Sequence, residues 1–161
     1  IYAVDTLCAS LGQGMLVAQA ARLRQQGKSI EEVRDWALDY RLHQCHWFTV
    51  NDLYFLKRGG RVSAATALVD DEGHLINMAK ARGRKASLLA LVDKIQELGT
   101  DPAGQTMYVS HSACLEDAQF VADEVKKRYG VKEIIINSIG PVIGAHTGPG
   151  CVALFFTGSK R

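Results

Sequence analysis

No stretch of this chain is long and apolar enough to cross a bilayer: runs such as residues 151–156 fall far short of the roughly 20 residues that a spanning helix needs. Charge of one sign is scarce as well. Nineteen Lys and Arg stand against 17 Asp and Glu, a formal net charge of +2. That field is too mild to draw nucleic acid to the whole molecule, so no nucleic-acid partner is expected and any basic function must be local. The four cysteines, Cys8, Cys45, Cys114 and Cys151, form no C-x-x-C pair, and no secretory signal is visible. Reduced, buried thiols of a cytoplasmic protein are the expected state. Also missing are a G-x-x-x-x-G-K-[ST] phosphate loop, a G-x-S-x-G nucleophile elbow and an acidic cluster evidently placed to hold Mg²⁺.

What is present is ordinary globular chemistry. With 161 residues, 47% hydrophobic and 22% charged, the chain can bury one sizeable core. It opens on Ile1-Tyr2-Ala3-Val4-Asp5, which reads as a buried strand with no initiator methionine. An unpaired strand leaves an open sheet edge, so the chain is expected to be part of a longer polypeptide or to be covered by a partner. Residues 11–26 carry a helical apolar pattern closed by Gly27. Ser29 and Glu32 make a capping box for a second helix, with Ile30, Val33, Ala37 and Leu38 as its stripe, running to about Gln44. Residues 45–50 read as a strand, and Asn51 or Asp52 caps a short helix that ends at Gly59. Beyond it the pattern predicts a short helix over 62–69, a turn over 70–73, and a strand over 74–80. Helices over 85–98 and 115–129 and strands over 105–110, 133–138 and 151–157 complete the reading. This alternation predicts an α/β or α+β fold with a mixed sheet.

Two segments point to an anion. Gly144-Ala145-His146-Thr147-Gly148-Pro149-Gly150 sets an imidazole and a hydroxyl in a glycine-rich loop, where the backbone can approach a ligand and turn successive N–H groups toward it. Leu56-Lys57-Arg58-Gly59-Gly60-Arg61 throws a lone arginine out of the end of a short helix. Blander readings stand beside these: His146 as a turn residue bonded to backbone, and Arg61 as a surface residue closing a helix. An enzymatic alternative is a small phosphotransferase or hydrolase with His146 as acid/base and Arg61 as oxyanion clamp. His43, Cys45 and His46 fit no standard zinc spacing, and no metal is expected. Asp5, Thr6 and Ser10 have no histidine near them in sequence and read as a loop. His111 and Ser112 read as a helix cap and its neighbour. Arg82, Arg84 and Lys85 stand before a helix, where a solvated helix start accounts for them equally well.

Together, Val4-Asp5-Thr6 with residues 10–14, Phe48-Thr49-Val50-Asn51-Asp52-Leu53 leading into Leu56-Lys57-Arg58-Gly59-Gly60-Arg61-Val62-Ser63, Lys80-Ala81-Arg82-Gly83-Arg84-Lys85 and the His146 segment resemble the DegV family, bacterial fatty-acid-binding proteins of the FakB type. The four motifs keep the family's order over nearly the whole chain. The resemblance implies a DegV-like C-terminal lipid-binding domain over 45–161, with 1–44 as the end of an N-terminal α/β domain. It implies a protein that is not an enzyme and has no cofactor. A long-chain fatty acid would be its ligand, with the carboxylate presented to a separate fatty acid kinase subunit for phospholipid synthesis, and with transient contact to the membrane surface. It places Arg61, His146 and, as a lesser candidate, Thr147 at the carboxylate. Arg82, Arg84 and Lys85 would lie on the surface that meets the kinase or anionic lipid, an attraction of about 1 kcal/mol per charge near a membrane. Burying a sixteen-carbon tail supplies about 12 kcal/mol of gross driving force, at about 0.8 kcal/mol per methylene, before ordering costs are set against it. Two departures stand out. The family's carboxylate-holding Thr and Ser hydroxyls would precede Ile1, and an apolar segment usual in relatives is missing where Val69 runs directly into Asp70.

Overall fold

Ser29 opens its helix as its spacing predicts: the hydroxyl accepts from the Glu32 N–H at 3.1 Å while the Glu32 carboxylate accepts from the Ser29 N–H at 2.7 Å. Both orphan donors of the first turn are met. The computed structural model describes residues 1–60, 68–69, 75–76 and 81–160. Among them, α1 (Leu11–Gln25) and α2 (Ile30–Tyr40) lead through a 3₁₀ turn at Arg41–His43 into β1 (Gln44–Thr49), and α3 (Tyr54–Arg58) follows. Next come β2 (Leu68–Val69), β3 (Leu75–Ile76), α4 (Arg84–Leu98) and β4 (Thr106–His111). The chain closes with α5 (Leu115–Tyr129), β5 (Glu133–Ser138), α6 (Pro141–Thr147) and β6 (Val152–Thr157).

The strands form one mixed sheet in the order β3-β2-β1-β6-β4-β5. The β4–β5 pair is parallel because α5 carries the chain back across the sheet between them, whereas β6 runs antiparallel to both of its neighbours, β1 and β4. Period-2 alternation then sends side chains to two different places. On one face, Cys45, Met107, Val109, Leu154 and Phe156 pack under α4 and α5 through residues such as Val92, Ile95, Val121 and Val125. On the other, Tyr108, Ala153 and Phe155 meet Met15 of α1. The second face carries the site.

Several expectations are corrected. Residues 1–5 form no strand. A strand exists only by pairing, and these residues turn instead to α2, where the Tyr2 hydroxyl donates to Glu31 and the Arg34 guanidinium lies 4.5 Å from the Tyr2 ring centroid. The second helix stops at Tyr40 rather than near Gln44, its last turn tightening to 3₁₀. Leu68 and Val69 are strand, not helix, because the backbone of Leu68 pairs with Trp47 and both residues pair with β3. The remainder of the expected 62–69 helix, the turn over 70–73 and the ends of the 74–80 strand lie outside the described residues. The glycine-rich histidine loop is largely a helix, α6, with Pro141 in its first turn and Gly148 as its stop, which is the asymmetry that proline and glycine favour at the two helix ends.

Candidate functional site

The α6 helix builds one end of the site. Gly148 ends it with φ 73° and ψ 178°, a backbone conformation open almost only to glycine. Its N–H donates to the Gly144 carbonyl at 2.8 Å, and the Gly150 N–H donates to the Ser112 carbonyl at 2.7 Å. These amides therefore serve the fold, and the expected cradle of glycine N–H groups for an anion is not what this segment forms. Thr147 is buried, and its hydroxyl donates back to the Ile143 carbonyl at 3.1 Å.

His146 is brought to the other motif by close packing. The α3 and α6 helices lie against each other, and a Cβ built on Gly59 would sit 2.5 Å from Nδ1 of His146. Gly59 has an ordinary φ of −75°, so what this position requires is space rather than backbone freedom. Gly60 lines the same cavity as His146, Thr147 and Leu56. The glycine pair that precedes Arg61 thus meets the histidine, while Arg61 itself lies outside the described residues.

The cavity spreads from this end over the second face of the sheet. Its volume is about 740 Å³, within the range of sites that enclose small molecules. Leu7, Phe48, Leu56, Ile139, Ile143 and Phe155 give it a largely apolar wall. Polar side chains interrupt that wall: Ser10, Ser110 and His46, the last two almost fully buried. His46 sits edge-on to Phe155, and a Cβ on Gly12 would come within 2.4 Å of its Nε2, so Gly12 is small to seat this ring. Cys45 and His46 are strand neighbours and face opposite sides of the sheet, and the His43 ring lies 3.3 Å from the Gly158 carbonyl, so the three do not converge on a common point. Among the described residues no group of three His, Cys, Asp or Glu side chains is placed to hold a metal. Cys151 also lines the cavity, and burial pushes its thiol up to about 12. Burial thus favours the protonated thiol near neutral pH.

The loop ahead of α1 holds itself together locally. Asp5 accepts from the Leu7 N–H at 2.9 Å and Thr6 accepts from the Cys8 N–H at 3.2 Å, as its turn-like composition suggests. His111 takes the Cys114 N–H at 3.3 Å, next to the start of α5. The basic turn divides. Arg84 binds Asp117 of α5 at 2.6 Å with both groups partly shielded, so it braces α4 against α5. Arg82 is exposed, and Lys85 is exposed with its ammonium 5.7 Å from the Phe120 ring centroid. Sequence reasoning missed Ser110 and did not see His46 as a cavity residue. The signal available was polarity at alternate positions of strands whose other positions are apolar.

A mixed sheet with a ligand-sized, mainly apolar hollow on one face defines the α/β architecture of this chain. The comparisons place it further: the family model described as "Uncharacterised protein, DegV family" matches residues 1–158, and the chain belongs to the DegV family. A DegV domain-containing protein of Clostridium perfringens is 43% identical over 173 residues, covering 100% of this chain and 60% of its own length. That span exceeds the 161 residues here, so the relative carries residues within it that this chain lacks. A Thermotoga maritima structure described as revealing a fatty acid binding function is 30% identical with a TM-score of 0.82, over 98% of this chain and 58% of that one. The Streptococcus pneumoniae fatty acid kinase B3 protein, loaded with linoleic acid, shares the fold at 21% identity and a TM-score of 0.87, over 98% of this chain and 59% of its own. The chain thus spans about 60% of the length of the relatives it matches. Among the described residues no helix is long and apolar enough to cross a membrane.

Proposed function

We propose that this chain is the acyl-binding part of a fatty-acid carrier. The tail of a long-chain fatty acid lies in the cavity, and its carboxylate stands at the end formed by His146 and Gly60, with Arg61 and Thr147 as further contacts. The observation that carries this reading is the 740 Å³ cavity with a mainly apolar wall and an imidazole at one end. The tail supplies affinity through buried methylenes. The carboxylate needs a positive partner and directed hydrogen bonds, since an unpaired buried anion costs several kcal/mol. The fatty-acid-binding relative from Thermotoga, at 30% identity, supports the ligand class.

In this reading the protein does no chemistry itself. It presents the carboxylate to a separate fatty acid kinase subunit for phospholipid synthesis, and Arg82 and Lys85, both exposed beside Gly83, face the kinase or anionic lipid. The stretch over 1–44 ends an N-terminal domain whose hydroxyls complete the headgroup site. No observation favours the phosphotransferase or hydrolase alternative.

Arg61→Ala and His146→Ala in the intact protein are each expected to reduce kinase-dependent acyl phosphate formation by tenfold or more. Affinity for the fatty acid is expected to fall only about threefold to tenfold, since the tail contacts remain. Titration calorimetry and a coupled kinase assay measure the two effects separately. Parental values for both in both variants would refute the headgroup assignment.

A further inference from the structure

One polar feature of the cavity is not used by the headgroup reading. Ser10 and Ser110 both line the cavity, and the Ser10 hydroxyl donates to the Ser110 hydroxyl at 3.1 Å. Ser110 is 0% exposed. It stands on β4 between Ala153 of β6, itself opposite Phe48, and Asn137 of β5, so the side toward β6 and β1 is apolar. Ser10 is held there by a backbone with φ 53°, a region that non-glycine residues seldom occupy and that concentrates at ligand sites.

Two hydroxyls carry two protons between them, and their mutual bond uses one. Among the described residues, neither hydroxyl has a second recorded hydrogen bond. Buried polar groups are nearly always paired, so the remaining donor and the free lone pairs belong to whatever fills the cavity. The position of the pair decides which part of an occupant that is. Ser112, whose carbonyl takes the Gly150 N–H just beyond α6, marks the headgroup end. Ser110 lies inside β4, two residues and thus about 7 Å from Ser112 at about 3.4 Å per residue, where the chain of an acid held at His146 would run over the sheet face.

We propose that the Ser10–Ser110 pair is a chain-recognition site, taking an oxygen, as a hydroxyl or oxo group, carried on the hydrocarbon chain of the bound acid a few carbons from its carboxylate. This rests on the fatty-acid reading above. A plain methylene at that point leaves the pair's second donor without a partner, whereas a chain oxygen satisfies it. The ligand class is therefore an oxygenated long-chain acid, selected by the position of its oxygen.

The test is titration calorimetry of the intact protein with hexadecanoic acid and with a series of hydroxyhexadecanoic acids that walks the hydroxyl along the chain. One isomer near the headgroup end is expected to bind about fivefold to tenfold tighter than the unsubstituted acid, the effect of one net hydrogen bond. Ser10→Ala/Ser110→Ala removes both partners together, a change that leaves folding nearly unaffected, and is expected to reverse that order so that the unsubstituted acid binds tightest. Ser10→Ala alone, at a partly exposed position, provides the same readout with Ser110 in place and is expected to diminish the preference. Tightest binding of the unsubstituted acid by the parent, or a preference unchanged in the variants, would overturn the chain-recognition site while leaving the carrier reading intact. Failure of the parent to bind any acid of the series would overturn both.

Discussion

Ala153→Phe is expected to lower fatty-acid affinity about a hundredfold in a chain that still folds. Ala153 lies near the start of β6 on the cavity face, between Phe48 and Ser110 in the sheet register, and is 7% exposed. An aromatic ring placed there enters the hollow rather than the core beneath α4 and α5, since those helices pack on the opposite face with Leu154 and Phe156. Displacing about four methylenes of an acyl tail forfeits about 3 kcal/mol, which corresponds to about two decades in dissociation constant. Ala153 also packs with Met15, Tyr108 and Phe155, so the ring brings an overpacking cost of about 1–3 kcal/mol, and the thermal midpoint should fall by roughly 2–12 °C. Titration calorimetry and a melting curve check the two halves. Parental affinity in a well-folded variant would show that the tail lies elsewhere.

Gly148→Ala is expected to lower stability by about 3 kcal/mol or more. Two costs add. The backbone at φ 73° and ψ 178° lies in a region almost closed to residues with a Cβ, which costs about 1–3 kcal/mol. The new Cβ would also sit 2.4 Å from Cδ2 of Phe55 and within 2.8 Å of two more ring atoms, so the α3–α6 contact must open. The expected fall in thermal midpoint is roughly 6–12 °C, with loss of ligand binding because α6 carries His146 and Thr147. Gly27→Ala is the control. It has φ 89° but nothing within 4 Å of the added methyl, so it bears backbone strain alone and should cost clearly less. Equal effects of the two substitutions would contradict the packing argument.

How much of this was legible in the sequence depended on whether the signal was local. The Ser29–Glu32 box and the 115–129 helix, which Gly130 ends at φ 68°, depend on neighbours in sequence and match the reading. So does the alternation that gives a mixed sheet. The α6 helix was misread because its seven residues are too few to display a helical period, and its proline and glycines look like loop punctuation until their order is considered. Residues 1–5 have strand composition, but strand formation is decided by partners, which composition does not reveal. At the site, His146 and the Gly59-Gly60 pair stood out as motifs, yet only the packing shows why the glycine is needed under the imidazole. Ser110 and His46 were hidden because each becomes unusual only once the strand's facing is known. Arg84 looked like its exposed neighbours and proved to be tied to Asp117, 33 positions away.

The most direct test is mass spectrometry of organic extracts from the intact protein, purified under native conditions without detergent. About one long-chain fatty acid per polypeptide is expected from the parent protein, and little from Ala153→Phe prepared alongside it. Repeated recovery of folded parent protein with no fatty acid, and with none taken up when oleate is supplied, would contradict the proposal that this hollow holds an acyl chain.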